Sequence, residues 1–160
     1  MRRIEQIMAH SIYQCNQMKI ENAERERVFC KHGLSHALDV ARILYIMVLE
    51  YNLPYKKDVV YAAALLHDIG RYEQYKNQAP HHEAGADISN KILEECGFDK
   101  NEILLITEAV RAHHKAVEEE YDSLNYLLYR ADKLSRNCYH CEAYKECYWE
   151  PEKRNQTVFY

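Results

Sequence analysis

The sequence predicts an all-α fold, a compact single-domain helical bundle of about six helices that ends in a short irregular Cys-rich tail. Apolar residues recur at the three- and four-residue spacing of helices. Gly and Pro number only four and three, which argues against an all-β fold. The length of 160 residues suits one domain, because domains usually have about 100–200 residues.

The predicted helices share an apolar stripe or run bounded by residues that start or stop helices. They lie at about 4–15, 36–51, 57–67, 82–96, 100–114 and 124–137. Ser35 and Asp99 are predicted N-caps, and Gly97 is the predicted residue just beyond the fourth helix. The run VVYAAALL in the third helix suits burial on most sides. Polar segments at 72–79 and 117–122 are predicted loops in which substrate specificity would lie.

Charge and hydropathy exclude two classes of partner. The net charge of -4 leaves no basic field for binding nucleic acid. The apolar runs are far shorter than the roughly 20 residues of a membrane-spanning helix, and the N-terminal segment lacks the apolar stretch of a signal peptide. We therefore expect a cytoplasmic protein without a nucleic-acid or membrane partner. The sequence does not predict the oligomeric state.

The unusual feature of the composition is His, which occurs nine times. Several His and two Asp lie at the ends of, or inside, separate predicted helices in otherwise apolar sequence. These residues are His36, His67, Asp68, His82, His113 and Asp132. A charged Asp that faces a core is costly unless it is paired or bound to a metal. Imidazole and carboxylate ligands favour Fe, Mn, Co, Ni or Zn over Ca, and a set of this size can hold two such ions.

This order of residues resembles the HD-domain superfamily of metal-dependent phosphohydrolases, whose pattern is H…HD…D. The pattern is matched, residue by residue, by His36, His67, Asp68 and Asp132. A two-metal subset of the family has two more His between the HD pair and the last Asp, and His82 and His113 match these. The resemblance covers about 28–136, which we take as the core of the domain, with the Cys-rich tail at about 137–160.

The resemblance implies a metal-dependent phosphohydrolase that acts on a nucleotide or another small phosphate ester. Asp68 would bridge two metal ions, and a hydroxide held between them would attack phosphorus. Arg71, in HDIGR, either binds phosphate through its guanidinium or is a surface residue after a turn. His114 could donate a proton to the leaving group or bind phosphate.

Two other functions stay open at this point. Some members of the superfamily use the same six ligands as di-iron oxygenases, and the ligand types alone do not separate the two chemistries. The third hypothesis is a metal or redox sensing and binding module, in which the Cys-rich tail would be the detector. Intact ligands and Arg71 favour an active enzyme over this third hypothesis.

The Cys-rich tail contains a candidate second metal site. Cys138, Cys141 and Cys147 have the spacing C-x2-C-x5-C, which occurs in zinc and iron–sulfur sites. A fourth ligand would come from Cys30, which lies six residues before His36 just as Cys138 lies six after Asp132, or from His140 inside the motif. The alternative is a set of reduced, partly buried thiols that bind nothing.

Overall fold

The computed structural model describes residues 1–115 and 121–160, and in these ranges the regular structure is entirely helical. The described part contains eight α-helices and two short 3-10 helices, at Cys138–His140 and Pro151–Lys153. The α-helices are α1 (Arg2–Ala9), α2 (Ser11–Ala23), α3 (Leu34–Glu50), α4 (Lys57–Leu66), α5 (Arg71–Asn77), α6 (His81–Glu95), α7 (Lys100–Ala112) and α8 (Leu124–Leu134). The predicted all-α class is confirmed.

The helix count is higher than predicted for two physical reasons. The first predicted helix is divided at His10, which has extended backbone angles and accepts a hydrogen bond from the Ile12 amide through Nδ1. The predicted loop at 72–79 is wrong over most of its length, because α5 occupies it and ends at Gln78 with a φ of 57°. None of the residues in α5 is buried, so this helix has no apolar stripe to find. The other predicted loop, 117–122, lies mostly outside the described residues.

The centre of the bundle is α4. Its buried residues are Val59, Val60, Ala62, Ala63, Ala64, Leu65 and Leu66. The small alanine side chains let α3 and α7 pack closely against α4, and α8 packs against both α3 and α7. The prediction of a third helix buried on most sides is therefore confirmed.

Helices α4 and α7 run in the same direction, which gives the bundle two chemically distinct ends. Near the start of both helices, Arg3 donates hydrogen bonds to Asp58 and to Glu102. Just beyond their other ends, the side chains of Asp68 and His113 approach to 3.6 Å. The residues that follow the two helices are therefore placed together at one end of the core.

The tail after α8 is irregular, as predicted, and is held against the bundle by side-chain hydrogen bonds. Asn155 donates from its amide to the backbone carbonyls of Lys133 and Arg136, at 2.9 and 2.7 Å. Arg154 donates to the carbonyls of Cys147 and Trp149, at 2.9 and 2.7 Å. These bonds fix the tail beside the end of the bundle that carries Asp68.

The described helices do not include one with both the length and the apolarity needed to cross a bilayer.

Candidate metal centre

Two imidazoles are oriented by the helices that precede them. His67 follows the last turn of α4, and its Nδ1–H donates to the carbonyl of Ala64 at 2.6 Å. His113 follows α7 in the same way, with its Nδ1–H donating to the carbonyl of Val110 at 2.6 Å. Because the Nδ1 proton is fixed by a carbonyl, Nε2 of each buried ring presents its lone pair to the space between them.

A first group of ligand atoms combines three helices. It consists of His36, His67, Asp68 and Asp132, each of which offers an atom within 4.8 Å of the others. The Nε2 of His67 lies 3.1 Å from Oδ2 of Asp68, and the Nε2 of His36 lies 3.2 Å from Oδ1 of Asp132. The structure thus brings together the four residues that match the H…HD…D pattern.

A second group shares Asp68 with the first. Its members are Asp68, His81 and His113. The Nε2 atoms of His81 and His113 are 3.2 Å apart, and each lies 3.6 Å from Oδ1 of Asp68. The two carboxylate oxygens of Asp68 therefore face different sets of imidazoles: Oδ2 faces the first group and Oδ1 faces the second.

The structure corrects the expected position of one His. His81, rather than His82, lies in the second group, because consecutive residues of a helix point about 100° apart and His81 is the one turned inward. The His82 ring is partly exposed and stacks on that of His114, with centroids 3.9 Å apart. Close approach at Gly70 helps to place His81, since a Cβ there would lie 2.2 Å from the His81 carbonyl oxygen.

Arg71 and His114, the two expected catalytic side chains besides Asp68, occupy different positions. Arg71 donates from Nε to Oδ1 of Asp68 at 2.9 Å, which places its guanidinium beside both groups. His114 is exposed, and its Nδ1–H donates to the carbonyl of Arg111 at 3.1 Å. His114 therefore lies with His82 outside the buried imidazoles, whereas Arg71 contacts the shared carboxylate directly.

Two buried polar atoms in the first group lack hydrogen-bond partners among the described residues: Nε2 of His67 and Oδ2 of Asp68. Such atoms are costly in a protein interior because their desolvation is not compensated. A cation between them would satisfy both, and an imidazole with a carboxylate is a donor set typical of transition metals. The residues of the cluster therefore fit a metal ion.

The protonation states also suit metal binding. Burial lowers the pKa of His36 to about 4 and that of His81 to about 3, so both rings are neutral near pH 7. Burial alone would raise the pKa of Asp68, but His67 and Arg71 hold it well below its usual range. Burial would lower the pKa of His67, yet Asp68 and Asp132 raise it. The two carboxylates therefore favour a positive charge at the His67 ring, which a metal ion at Nε2 would supply in place of a proton.

Sequence reasoning missed the cations around Asp132. Arg136 donates from its terminal nitrogen to Oδ1 of Asp132 at 2.8 Å, and Lys133 donates to Oδ2 at 2.7 Å. With Arg71, three cationic side chains surround the two carboxylates. The four-residue spacing of Asp132 and Arg136 is a helical ion-pair signal that could have identified Arg136.

A second missed feature is the pair formed by His32 and Glu24. The backbone amide of His32 donates to the Glu24 carboxylate at 2.7 Å, and the Nδ1 of His32 bonds to the same carboxylate. Both residues are buried, and the ring of His32 lies 5.9 Å from that of His36. The four-residue spacing of the two His was obscured by the loop that contains Gly33.

A cavity of about 330 Å³ opens beside the first group. Its inner wall includes Arg71, Asp132 and Arg136, and His32 also lines it. The opposite wall is formed by residues around the Cys-rich tail. All four cysteines of the candidate second site line this cavity, namely Cys30, Cys138, Cys141 and Cys147. His140, the other expected fourth ligand, lines it as well.

Comparison with known proteins agrees with the fold and the site. The family model described as "HD domain" matches residues 33–137 of this chain. An uncharacterized protein of Clostridium beijerinckii is 42% identical over 137 residues, which cover 86% of this chain and 85% of that protein. Ribonuclease Y of Oleidesulfovibrio alaskensis is 34% identical over 107 residues, which cover 67% of this chain but 18% of ribonuclease Y.

A solved structure shares the fold. The crystal structure of a predicted HD superfamily hydrolase from an uncultured Thermotogales bacterium aligns with a TM-score of 0.61 and 21% sequence identity. The alignment covers 88% of this chain and 80% of that one. Fold, ligand pattern and family match together show that this chain belongs to the HD-domain family. Its buried His and Asp residues form a cluster that could hold a metal ion.

Proposed function

We propose that this protein is a metal-dependent phosphohydrolase that acts on a nucleotide or another small phosphate ester. The observation that carries the proposal is the carboxylate of Asp68, whose two oxygens face two separate sets of buried imidazoles. A carboxylate in this position suits two neighbouring cations, one in each group. Membership in the HD-domain family and the fold shared with a predicted HD superfamily hydrolase support the same chemistry.

Each of the two ligand groups would hold one metal ion. His36, His67 and Asp132 would hold one ion, His81 and His113 the other, and Asp68 both. We propose divalent transition metals such as Fe or Mn, because imidazole and carboxylate donors favour them over Ca. When bound, these ions would supply a hydroxide at neutral pH and neutralise charge on the phosphoryl group.

The side chains around the ligands suit an anionic substrate. Arg71, Lys133 and Arg136 outnumber the two carboxylates that they contact, so the site carries excess positive charge even before any ion binds. Arg71 is partly exposed on the cavity wall, where its guanidinium can bind two phosphate oxygens. This charge suits a phosphate ester as the substrate.

The chain offers a proton-accepting group beside the cavity. His32 lines the cavity, and its Nδ1 is held by the buried carboxylate of Glu24. Burial lowers the pKa of His32, and the Glu24 carboxylate holds the ring proton on Nδ1, so Nε2 is the nitrogen that can accept a proton from water or a bound ester. His114, the donor expected from the sequence, is exposed beside His82, where it could contact a distal phosphate.

The test is a phosphate-release assay on the purified full chain loaded with Mn²⁺ or Fe²⁺. The panel contains nucleoside mono-, di- and triphosphates, dinucleoside polyphosphates, simple aryl phosphates and a short RNA. The matched variants are Asp68→Asn and Glu102→Gln, which each remove one buried carboxylate charge, inside and outside the cluster. We expect at least one small phosphate ester to be hydrolysed by the wild type and by Glu102→Gln, but not by Asp68→Asn.

Other outcomes would overturn the proposal or its substrate class. Hydrolysis of no ester by protein that holds two ions would contradict the proposed function, and substrate-dependent oxygen uptake would replace it with oxygenase chemistry. Cleavage of RNA alone would contradict the small-molecule substrate. The similarity to ribonuclease Y justifies that arm of the panel, although this chain spans only 18% of the length of the Oleidesulfovibrio protein.

A further inference from the structure

Four cysteines from two separate segments meet around the cavity beside the metal centre. Cys30 precedes α3, whereas Cys138, Cys141 and Cys147 belong to the tail. All four thiols are free and line the same cavity of about 330 Å³. The remaining cysteines, Cys15 on α2 and Cys96 after α6, are not part of this wall, so the convergence is selective.

The tail is built to hold its cysteines in place. Arg154 donates hydrogen bonds to the carbonyls of Cys147 and of Tyr144, at 2.9 Å each. Asn155 ties the tail to the carbonyl of Arg136, just before Cys138. Irregular backbone is costly to order unless something is gained, and here the ordering presents three thiols to one cavity. The arrangement is therefore typical of a ligand site rather than of a loose tail.

The distances between the thiols distinguish a single zinc ion from an iron–sulfur cluster as the possible ligand. A single zinc ion holds four thiolates at about 2.3 Å in a tetrahedron, which puts their sulfurs about 3.8 Å apart. Among the described residues, no three cysteine sulfurs lie within 4.8 Å of one another. In an iron–sulfur cluster the four thiolates are distributed over two or four iron atoms, so they surround a larger centre and not all of their sulfurs lie close together. The wider arrangement and the cavity volume favour a cluster.

The charge around the cavity favours an anionic occupant. Arg136 is buried in its wall, and the Nε of this guanidinium has no hydrogen-bond partner among the described residues. An iron–sulfur cluster ligated by thiolates is negatively charged, so it would offset the charge of this buried guanidinium.

We propose that Cys30, Cys138, Cys141 and Cys147 ligate an iron–sulfur cluster that lies beside the His/Asp metal centre. The sites are connected by Arg136, which lines the cavity and donates a hydrogen bond to Asp132. The cluster holds the tail over the cavity and supplies negative charge next to Arg136. This inference does not depend on the proposed function, because it concerns a separate set of ligands.

The experiment measures acid-labile sulfide, which belongs to a cluster and not to the His/Asp centre. The full-length protein is purified without oxygen and reconstituted with ferrous iron and sulfide. We expect about two or four sulfides per chain with matching cluster iron, according to cluster type. We also expect a visible thiolate-to-iron absorbance that dithionite bleaches. Cys138→Ser and Cys141→Ser should lose the sulfide and the absorbance, whereas Cys15→Ser should keep both.

The controls make each result decisive. The two tail variants should still bind Mn²⁺ at the His/Asp centre, which shows that they are folded and that only the cluster is lost. Wild-type protein without bound sulfide after reconstitution would contradict the proposal. So would one tightly held zinc ion per chain that depends on the four cysteines, or sulfide that is retained in Cys138→Ser.

Discussion

The two ends of α4 and α7 carry two clusters of charged residues that differ in how completely their buried polar atoms are hydrogen-bonded. At the start of the helices, Asp58 accepts a hydrogen bond from Arg3 at 2.8 Å, and Glu102 accepts one from Lys56 at 2.9 Å and others from Arg3. At the other end, Oδ2 of Asp68 is buried without a hydrogen-bond partner among the described residues. One cluster is complete within the chain, and the other is not.

This difference separates a structural role from a functional one. The Arg3 cluster ties α1 to the starts of α4 and α7 with cations that the chain itself supplies. In the Asp68 cluster the chain's own cations bond to Oδ1 of Asp68 and to Asp132, but Nε2 of His67 and Oδ2 of Asp68 stay unpaired among the described residues, which costs free energy until a cation binds between them. We therefore expect added metal ions to raise the melting temperature, because they bind the folded chain at a site that unfolding destroys.

Asp68→Asn is expected to have the largest effect, because it changes the cluster that the chain leaves incompletely paired. The amide keeps the shape of the side chain but removes the charge shared by the two ligand groups. Because metal activation contributes several kcal/mol, we expect kcat/KM to fall by about 10³-fold or more. Calorimetry with Mn²⁺ should also show that the metal-induced increase in melting temperature is lost. An undiminished increase would contradict the role of Asp68 as a shared ligand.

The second test separates His81 from His82. We expect His81→Ala to lose one of two ions, since this change removes a ligand of the second group, and metal affinity should fall by about 10–100-fold or more. His82→Ala should keep both ions, because its ring stacks on His114 outside that group. Elemental analysis after dialysis measures the metal content. Loss of an ion from His82→Ala, with retention in His81→Ala, would reverse the assignment.

Gly70→Ala tests the close approach that places His81. The added Cβ would lie 2.2 Å from the carbonyl oxygen of His81 and 2.5 Å from the amide nitrogen of Gly85, so the backbone must shift. We expect about 1–3 kcal/mol of destabilisation in urea unfolding, as in other overpacked sites. Gly33→Ala is the control, because its new Cβ would meet only two atoms of the Glu21 side chain, at 3.5 and 3.7 Å. Equal stability of the two variants would show that the approach at Gly70 is unimportant.

The smallest effect is expected at the complete cluster. Hydrogen bonds from Arg3 lower the pKa of Glu102 from 4.5 to about 2, although burial opposes this. A lowered pKa means that the ionised carboxylate stabilises the fold above about pH 4.5 and that this contribution is lost as the pH falls toward 2. We expect Glu102→Gln to cost about 1 kcal/mol at pH 7, less near pH 3, and to keep all metal. If urea unfolding gave the same stability difference between Glu102→Gln and the wild type at pH 7 and at pH 3, this account would be refuted.

The sequence predicted the elements of the site better than their surroundings. His36, His67, Asp68, His113 and Asp132 were found because each interrupts apolar sequence at a helix end or on a helix face. The choice between His81 and His82 could not be made, because the first residue of α6 decides which ring faces inward. The exact first residue of a helix depends on tertiary packing, and for α6 it depends on the contact between His81 and Gly70.

The parts that sequence reasoning missed depend on long-range contacts. Helix α5 has no buried residue and hence no periodic signal. The bond between His32 and Glu24 joins the loop before α3 to the end of α2. The two residues are not at helical spacing within one helix, so no sequence pattern predicts their contact. The cavity between the metal centre and the tail forms only when Arg154 and Asn155 hold the tail in place.

The central claim is that Asp68 serves two metal positions, and anomalous diffraction from crystals grown with Mn²⁺ tests it most directly. The account predicts two anomalous peaks on either side of the Asp68 carboxylate. One peak should lie among His36, His67 and Asp132, and the other between His81 and His113. A single peak, or a second peak between His82 and His114, would contradict the account.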